Sequence, residues 1–187
     1  MRAELPTISL DSLRAGRPGL TPTESGHLAE CAAVCLDAVG IGPESELNVT
    51  GTHTAALKLS CFAVTNQMKR TYADLQEATE YGASGMAVLI IEALEGLTVY
   101  ERSPKDGGGF DYFLIQQEGA GNEFSDENFF AVASSRLEVS GILRGEQDEI
   151  DRRCREKLNR LKERVHPLPA YVIIVEFGSV RARIEKL

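Results

Sequence analysis

The chain has 187 residues, 43% of them hydrophobic and 26% charged, as is typical of a globular protein with an ordinary buried core. Its formal net charge of −8 argues against broad, non-specific attraction to nucleic acid. The longest apolar run, residues 86–91, is far shorter than the roughly 20 residues that cross a bilayer. Because the first twelve residues do not resemble a signal peptide either, the sequence predicts a cytoplasmic protein with no membrane partner.

Basic residues are concentrated towards the end of the chain. Residues 150–187 hold ten Lys or Arg against five Asp or Glu, whereas the rest of the chain holds ten against 23. A phosphate-binding face is therefore expected near the C-terminus, and Arg152, Arg153 and Arg155 are the candidate nucleic-acid-binding residues. The alternative is a helix face whose charges are merely solvated.

The first third of the chain is predicted to lie outside the main core. Residues 1–20 show no periodicity and contain several Pro and Gly, which predicts a flexible arm. Residues 21–64 are predicted to form a helix that starts at Thr21 or Thr23, and then a hairpin of strands 47–51 and 55–64. His53 falls in the hairpin turn, which favours a turn residue over a metal ligand.

Residues 65–187 are predicted to form the core. A helical stretch capped by Thr65 runs to Gly96 as one long helix or two abutting ones, and Gly82 and Gly85 in it allow another backbone to approach closely. The other predicted elements are strands 97–102, 110–115 and 136–142, an amphipathic helix 146–165 with Val165 on its apolar side, and strand 171–177. The fold class predicted is α/β, with an α+β mixed sheet.

Two acidic residues could carry chemistry in this core. Asp111 opens the second predicted strand and Glu138 lies inside the third, so the two become neighbours if these strands pair. Paired carboxylates suit Mg²⁺, which can bind a phosphate oxygen and activate a water for attack on phosphorus. The alternatives are that Asp111 is only a turn residue after three glycines, and that Glu138 is an exposed residue on a polar strand face.

This pattern resembles the PD-(D/E)XK nuclease superfamily, across residues 66–177. The matching segments are Gly109-Phe110-Asp111 and residues 137–140, Leu-Glu-Val-Ser. The resemblance implies a restriction-endonuclease-like αβββαβ core, carrying the N-terminal helix and β-hairpin as an extension. It also implies that Asp111 and Glu138 bind Mg²⁺ or Mn²⁺, with Glu80 as a third ligand and Glu77 as its alternative.

The sequence departs from the superfamily's motif at one position. The motif lysine is replaced by Ser140, whose hydroxyl can orient a water but supplies no positive charge. Lys105, in the glycine-rich link before Asp111, is a candidate replacement. Because losing one charge-stabilising group costs on the order of 10²–10³ in rate, a slow enzyme, a rearranged site and an inactive site all stay open.

Three functions follow from these observations. The first is a metal-dependent endonuclease acting on DNA or RNA, in defence or nucleic-acid processing, and its catalytic residues would be Asp111, Glu138, Ser140 and Lys105. The second is a catalytically inactive protein of the same fold that serves as a binding or assembly subunit. The third is a structural or dimerising protein. The candidate partners are accordingly a nucleic acid, another protein or a second copy of the chain.

The cysteine pattern raises a separate question of metal binding. Cys31 and Cys35 are four residues apart on a predicted helix and share a face, with His27 the only further ligand nearby. The interpretation favoured is small apolar thiols in the core, and a metal site is the alternative.

Overall fold

The computed structural model describes residues 5–104, 109–117 and 133–187. Within these ranges the chain forms eight β-strands, four α-helices and one 3-10 helix. The helices are the 3-10 helix Leu10–Ala15, α1 (Pro22–Ala38), α2 (Asn66–Thr71), α3 (Leu75–Glu95) and α4 (Gln147–Lys162). The strands are β1 (Thr7–Ser9), β2 (Glu44–Gly51), β3 (Ala55–Ser60), β4 (Leu97–Arg102), β5 (Tyr112–Gln116), β6 (Ser135–Ile142), β7 (Ala170–Glu176) and β8 (Arg181–Lys186).

The eight strands belong to one mixed sheet, in the order β1-β3-β2-β8-β7-β6-β5-β4. Strand β6 runs parallel to β7 and antiparallel to β5, so it lies where two pairing modes meet. These findings confirm the mixed α+β class that the sequence predicts. The order of the elements from α3 to β7 is also the predicted one.

The sheet is covered on both faces. On one face, α1 and α3 pack against residues that include Leu137, Val139 and Ile173. On the other face, the apolar side of α4 packs against residues that include Val172 and Ile174. Neighbouring residues of β7 therefore belong to different cores, which explains why this strand is apolar at every position between its ends.

Helices α1 and α3 approach each other closely at two glycines of α3. A Cβ atom added at Gly82 would lie 2.8 Å from the Cα of Ala32, and one added at Gly85 would lie 3.1 Å from the carbonyl oxygen of Leu28. These distances confirm the predicted close backbone approach. The prediction that Gly96 ends this stretch is also confirmed, since Gly96 adopts the left-handed conformation that closes α3.

The N-terminal third is joined to the rest of the sheet more closely than the sequence analysis expects. The predicted helix and hairpin are present, but β2 pairs in parallel with β8, a strand that the sequence analysis did not predict. Within the predicted arm, β1 pairs with β3, and Leu10 and Leu13 are fully buried. These strand pairs and buried side chains make the segment part of the core.

One helix boundary differs from expectation. The stretch before Gly96 is two helices, the second of the two predicted alternatives, and they are capped separately by the side chains of Thr65 and Asp74. Helix α4 ends at Lys162, and Val165 beyond it is fully exposed, so the prediction that Val165 belongs to the apolar side is wrong. No helix in the described ranges is both long and apolar enough to cross a membrane.

Candidate functional site

A cleft opens where strand β5 begins beside the longer β6. The pairing between the two strands stops at Tyr112 and Leu137, and β6 continues to Ile142 with no described strand on that edge. The resulting cleft, which we call the fork cleft, has a volume of about 390 Å³. It lies between α3 and α4, and its lining includes Glu80, Tyr81, Ser84, Arg102, Asp111, Tyr112, Val139, Ser140, Gly141, Arg153 and Lys157.

Asp111 is held at the mouth of the fork by two hydrogen bonds to β6. Its backbone N–H donates to the carbonyl oxygen of Leu137 at 2.9 Å. Its carboxylate Oδ2 accepts from the backbone N–H of Val139 at 2.7 Å, taking the place of a missing strand neighbour. These two contacts place Asp111 beside Glu138, so the prediction that the two residues are neighbours is confirmed.

Glu138 is only 4% exposed and does not itself line the fork cleft. The ammonium group of Lys157, on α4, forms an ion pair with its carboxylate. Burial and the negative charge of Asp111 raise the pKa of Glu138 to about 7, while Lys157 opposes that shift. The alternative interpretation of Glu138 as an exposed residue on a polar strand face is therefore wrong.

The fork cleft also contains positive charge from α4. Arg153 donates to the carbonyl oxygen of Gly141 and to the carboxylate of Glu149, both at 2.8 Å. Lys157 lies one helical turn further along and lines the same cleft as Ser140. A residue with a positive charge thus lines the same cleft as Ser140.

The sequence analysis did not identify Lys157. A signal was available, because Lys157 is three residues after Cys154 and four before Leu161, both buried on the apolar side of α4. That spacing places Lys157 beside the face that packs on the sheet. What the spacing could not show is which strand residue lies under the helix at that point.

The other predicted site residues are divided by the fold. Glu80 lines the fork cleft. Glu77, the predicted alternative to Glu80 as a third ligand, lines a different cavity together with His27. Of the three candidate arginines, Arg153 reaches the cleft, while Arg152 and Arg155 are exposed on α4. Arg152 is paired with Glu156. Lys105 lies outside the described residues.

Carboxylates and thiols do not form a compact metal-binding group in the part of the chain that the structure describes. No three or more His, Cys, Asp or Glu side chains there are close enough to hold one ion. Cys31 and Cys35 are fully buried, and burial raises the pKa of their thiols to about 12 and about 11. Their burial confirms the interpretation as core thiols.

The fold defines the chain as a mixed α+β protein with a fork-shaped cleft between two helices. No protein-family model, curated protein or solved structure matches the chain. The function therefore has to be argued from the cleft itself.

Proposed function

We propose that this protein is a metal-dependent nuclease-like hydrolase of DNA or RNA, built on a restriction-endonuclease-like core, and that the fork cleft is its active site. The proposal depends on one observation above all, which is the adjacency of Asp111 and Glu138 where β5 begins, with Lys157 beside them. Carboxylates forced together with a perturbed pKa are common at catalytic sites.

The two carboxylates fit a hard divalent cation. Asp111 and Glu138 repel each other, as the raised pKa of Glu138 reflects, and a cation between them would relieve that repulsion. Mg²⁺ or Mn²⁺ would be held by these two residues and by water, since Glu80 lines the same cleft but is not close enough to share one ion with them. When bound, such an ion supplies Lewis-acid stabilisation of the phosphoryl oxygens and lowers the pKa of a water.

The remaining polar groups of the fork cleft have separate roles in the proposal. Lys157 takes over the charge-stabilising role of the absent motif lysine, because it lines the cleft together with Asp111 and its ammonium group pairs with Glu138. The hydroxyl of Ser140 orients the attacking water. Arg153 and Arg102 hold the phosphates on either side of the bond to be cut.

Cleavage assays test this proposal directly. Labelled single- and double-stranded DNA and RNA are incubated with the protein and Mg²⁺ or Mn²⁺, alongside Asp111→Asn, Glu138→Gln and Lys157→Met. We expect each variant to lose on the order of 10²–10³ in rate, as when one charge-stabilising group is removed. Arg152→Ala is the control, since Arg152 is exposed, pairs with Glu156 and does not line the cleft. The proposal fails if nothing is cut, or if Asp111→Asn cuts as fast as the parent.

A second candidate function is a non-catalytic binding or assembly subunit of the same fold. The observation that favours it is the buried ion pair between Lys157 and Glu138, which already neutralises that carboxylate without a metal. Titration calorimetry with Mn²⁺ separates the two candidates. Saturable binding that disappears in Asp111→Asn supports the hydrolase, and no binding by the parent supports the subunit.

A further inference from the structure

A second cavity, of about 450 Å³, lies between the end of α4 and the connection to β7. Four of its lining residues, Arg136, Lys162, Arg164 and His166, carry nitrogen donors, and we call the cavity the basic pocket. The rest of its wall is apolar or proline side chains. None of its lining residues also lines the fork cleft.

Arg136 is an unusual component of this wall because its charge is buried without a counter-ion. The residue is 3% exposed, and its Nε and Nη2 groups donate to the carbonyl oxygen of Leu168 at 3.1 and 2.8 Å. Its Nη1 group is buried and has no hydrogen-bond partner among the residues that the structure describes. Across the described ranges, no carboxylate lies within ion-pair distance of Arg136, Lys162 or Arg164.

A buried guanidinium with an unused donor and no acid nearby is costly to an isolated protein. The nearby contacts compensate only weakly, since the guanidinium carbon lies 5.4 Å from the centre of the Phe110 ring. Such an arrangement is favourable when an anion supplies the missing charge. It therefore indicates a ligand site more than a stabilising feature of the fold.

The imidazole of His166 adds a donor to the same pocket. Its Nδ1 accepts a hydrogen bond from the backbone N–H of Leu168 at 3.2 Å, so in the neutral ring the proton is on Nε2. His166 is thereby able to donate to an anion without being charged. The pocket thus combines the flexible cations of Lys162 and Arg164, the guanidinium of Arg136 and the N–H of His166. Together these groups offer more donors than a single carboxylate can accept.

We infer that the basic pocket binds a phosphate group, either free or as the phosphate of a mononucleotide. A phosphate presents several oxygens and about two negative charges, which matches a pocket lined by several donors and no acidic side chain. The guanidinium fork of Arg164 is suited to two phosphate oxygens at once, whereas Arg136 contributes its buried positive charge, since its Nε and Nη2 already donate to Leu168. This inference does not rest on the proposed hydrolase activity, because the fork cleft and the basic pocket share no lining residue.

Titration calorimetry and thermal unfolding with inorganic phosphate, at constant ionic strength set by chloride and without divalent metal, test the inference. We expect saturable binding and a rise in melting temperature for the parent. Arg164→Ala and Lys162→Ala each weaken binding by about tenfold, as expected when a charge-assisted hydrogen bond is lost. Arg152→Ala, on the outer side of α4, is the matched control and binds like the parent. Both Arg164 and Lys162 are exposed, so their replacement is not expected to unfold the protein.

Two further measurements sharpen the result. The ring signals of His166 in an NMR titration should shift with phosphate, whereas those of His53, on the β2–β3 turn, should not. A nucleoside monophosphate is compared with its nucleoside to separate a nucleotide site from a free-phosphate site. The inference is overturned if the parent shows no saturable binding of phosphate or the monophosphate, or if Arg152→Ala weakens binding as much as Arg164→Ala does.

Discussion

Lys157 of α4 and Glu138 of β6 form an ion pair in which the side chains are 20% and 5% exposed, respectively. The pair ties the helix that covers one face of the sheet to the strand that forms the fork cleft. The carboxylate of Asp111 accepts a hydrogen bond from Val139, the residue of β6 that follows Glu138. A change at the ion pair is therefore expected to alter both the stability of the fold and the position of Asp111 in the cleft.

Removing the ammonium group of Lys157 alone should lower the free energy of unfolding more than replacing both Lys157 and Glu138. Above about pH 8 Glu138 is ionised, because its pKa is raised to about 7, and Lys157→Met then leaves the buried carboxylate without a partner. We expect this change to lower the free energy of unfolding by about 2–4 kcal/mol at that pH. The double variant Lys157→Met, Glu138→Gln should recover much of that loss, since no charge is then left unpaired. Urea unfolding above about pH 8 measures all three proteins. An exposed lysine on the same helix provides the control, Lys162→Met, which should change stability little. Equal stability of Lys157→Met and the parent would contradict the buried pair.

Stability should fall as pH rises from about 4.5 to about 7. The pKa of Glu138 is raised to about 7 in the folded protein, so between its unfolded and folded pKa values the folded state holds more protons than the unfolded state. Rising pH therefore removes stability, by about 1–3 kcal/mol from this group. Urea unfolding across this range measures the slope, and Glu138→Gln should flatten it. A parent and a Glu138→Gln protein with the same slope would show that another group is responsible.

Replacing glycine by alanine should have opposite effects on stability at two positions in helices α1 and α3. Gly82→Ala places a Cβ atom 2.8 Å from the backbone of Ala32, so α1 and α3 must separate, at a cost of about 1–3 kcal/mol. Gly26→Ala, within α1, meets nothing within 4 Å and should instead stabilise by about 0.5–1 kcal/mol through helix propensity. Thermal unfolding of the two variants gives the comparison. A stabilising Gly82→Ala would mean that the helices are not in close contact there.

The end of α3 is held to the sheet by a second polar contact. The hydroxyl of Tyr171 donates to the carboxylate of Glu95 at 2.6 Å, and His53 of the β2–β3 turn is hydrogen-bonded to the same carboxylate. Burial opposes ionisation, but these hydrogen bonds outweigh it and lower the pKa of Glu95. A lowered pKa contributes stability that is present above the normal value near 4.5 and is lost as pH falls through the folded value.

Tyr171→Phe should therefore cost about 1–2 kcal/mol at neutral pH, because Glu95 loses the hydroxyl donor of Tyr171. The cost should shrink as pH falls through the lowered pKa of Glu95, where the carboxylate becomes protonated. Unfolding measured for Tyr171→Phe, Glu95→Gln and the double variant gives the coupling between the two residues. Additive effects of the two single changes would contradict this contact.

Local sequence patterns determined most of the individual elements of this protein. The helix caps at Thr21 and Thr65, the stop at Gly96 and the hairpin turn at Gly51 depend on backbone geometry and nearby donors, so each can be recognised from a few residues. The same is true of β7, whose apolar run required cover on both faces. The adjacency of Asp111 and Glu138 was also predictable, once β5 and β6 were assumed to pair.

Only the tertiary structure decided how these elements combine. The alternating residues of β8 look like an ordinary polar tail, with Ala182 and Ile184 the only inward apolar positions, yet β8 joins the N-terminal hairpin to the rest of the sheet. The environments of Lys157 and of Arg136, which has no counter-ion among the described residues, likewise depend on which strand lies beneath α4. Such contacts join residues far apart in the chain, and their energies come from burial and charge in one shared environment, which no local pattern encodes.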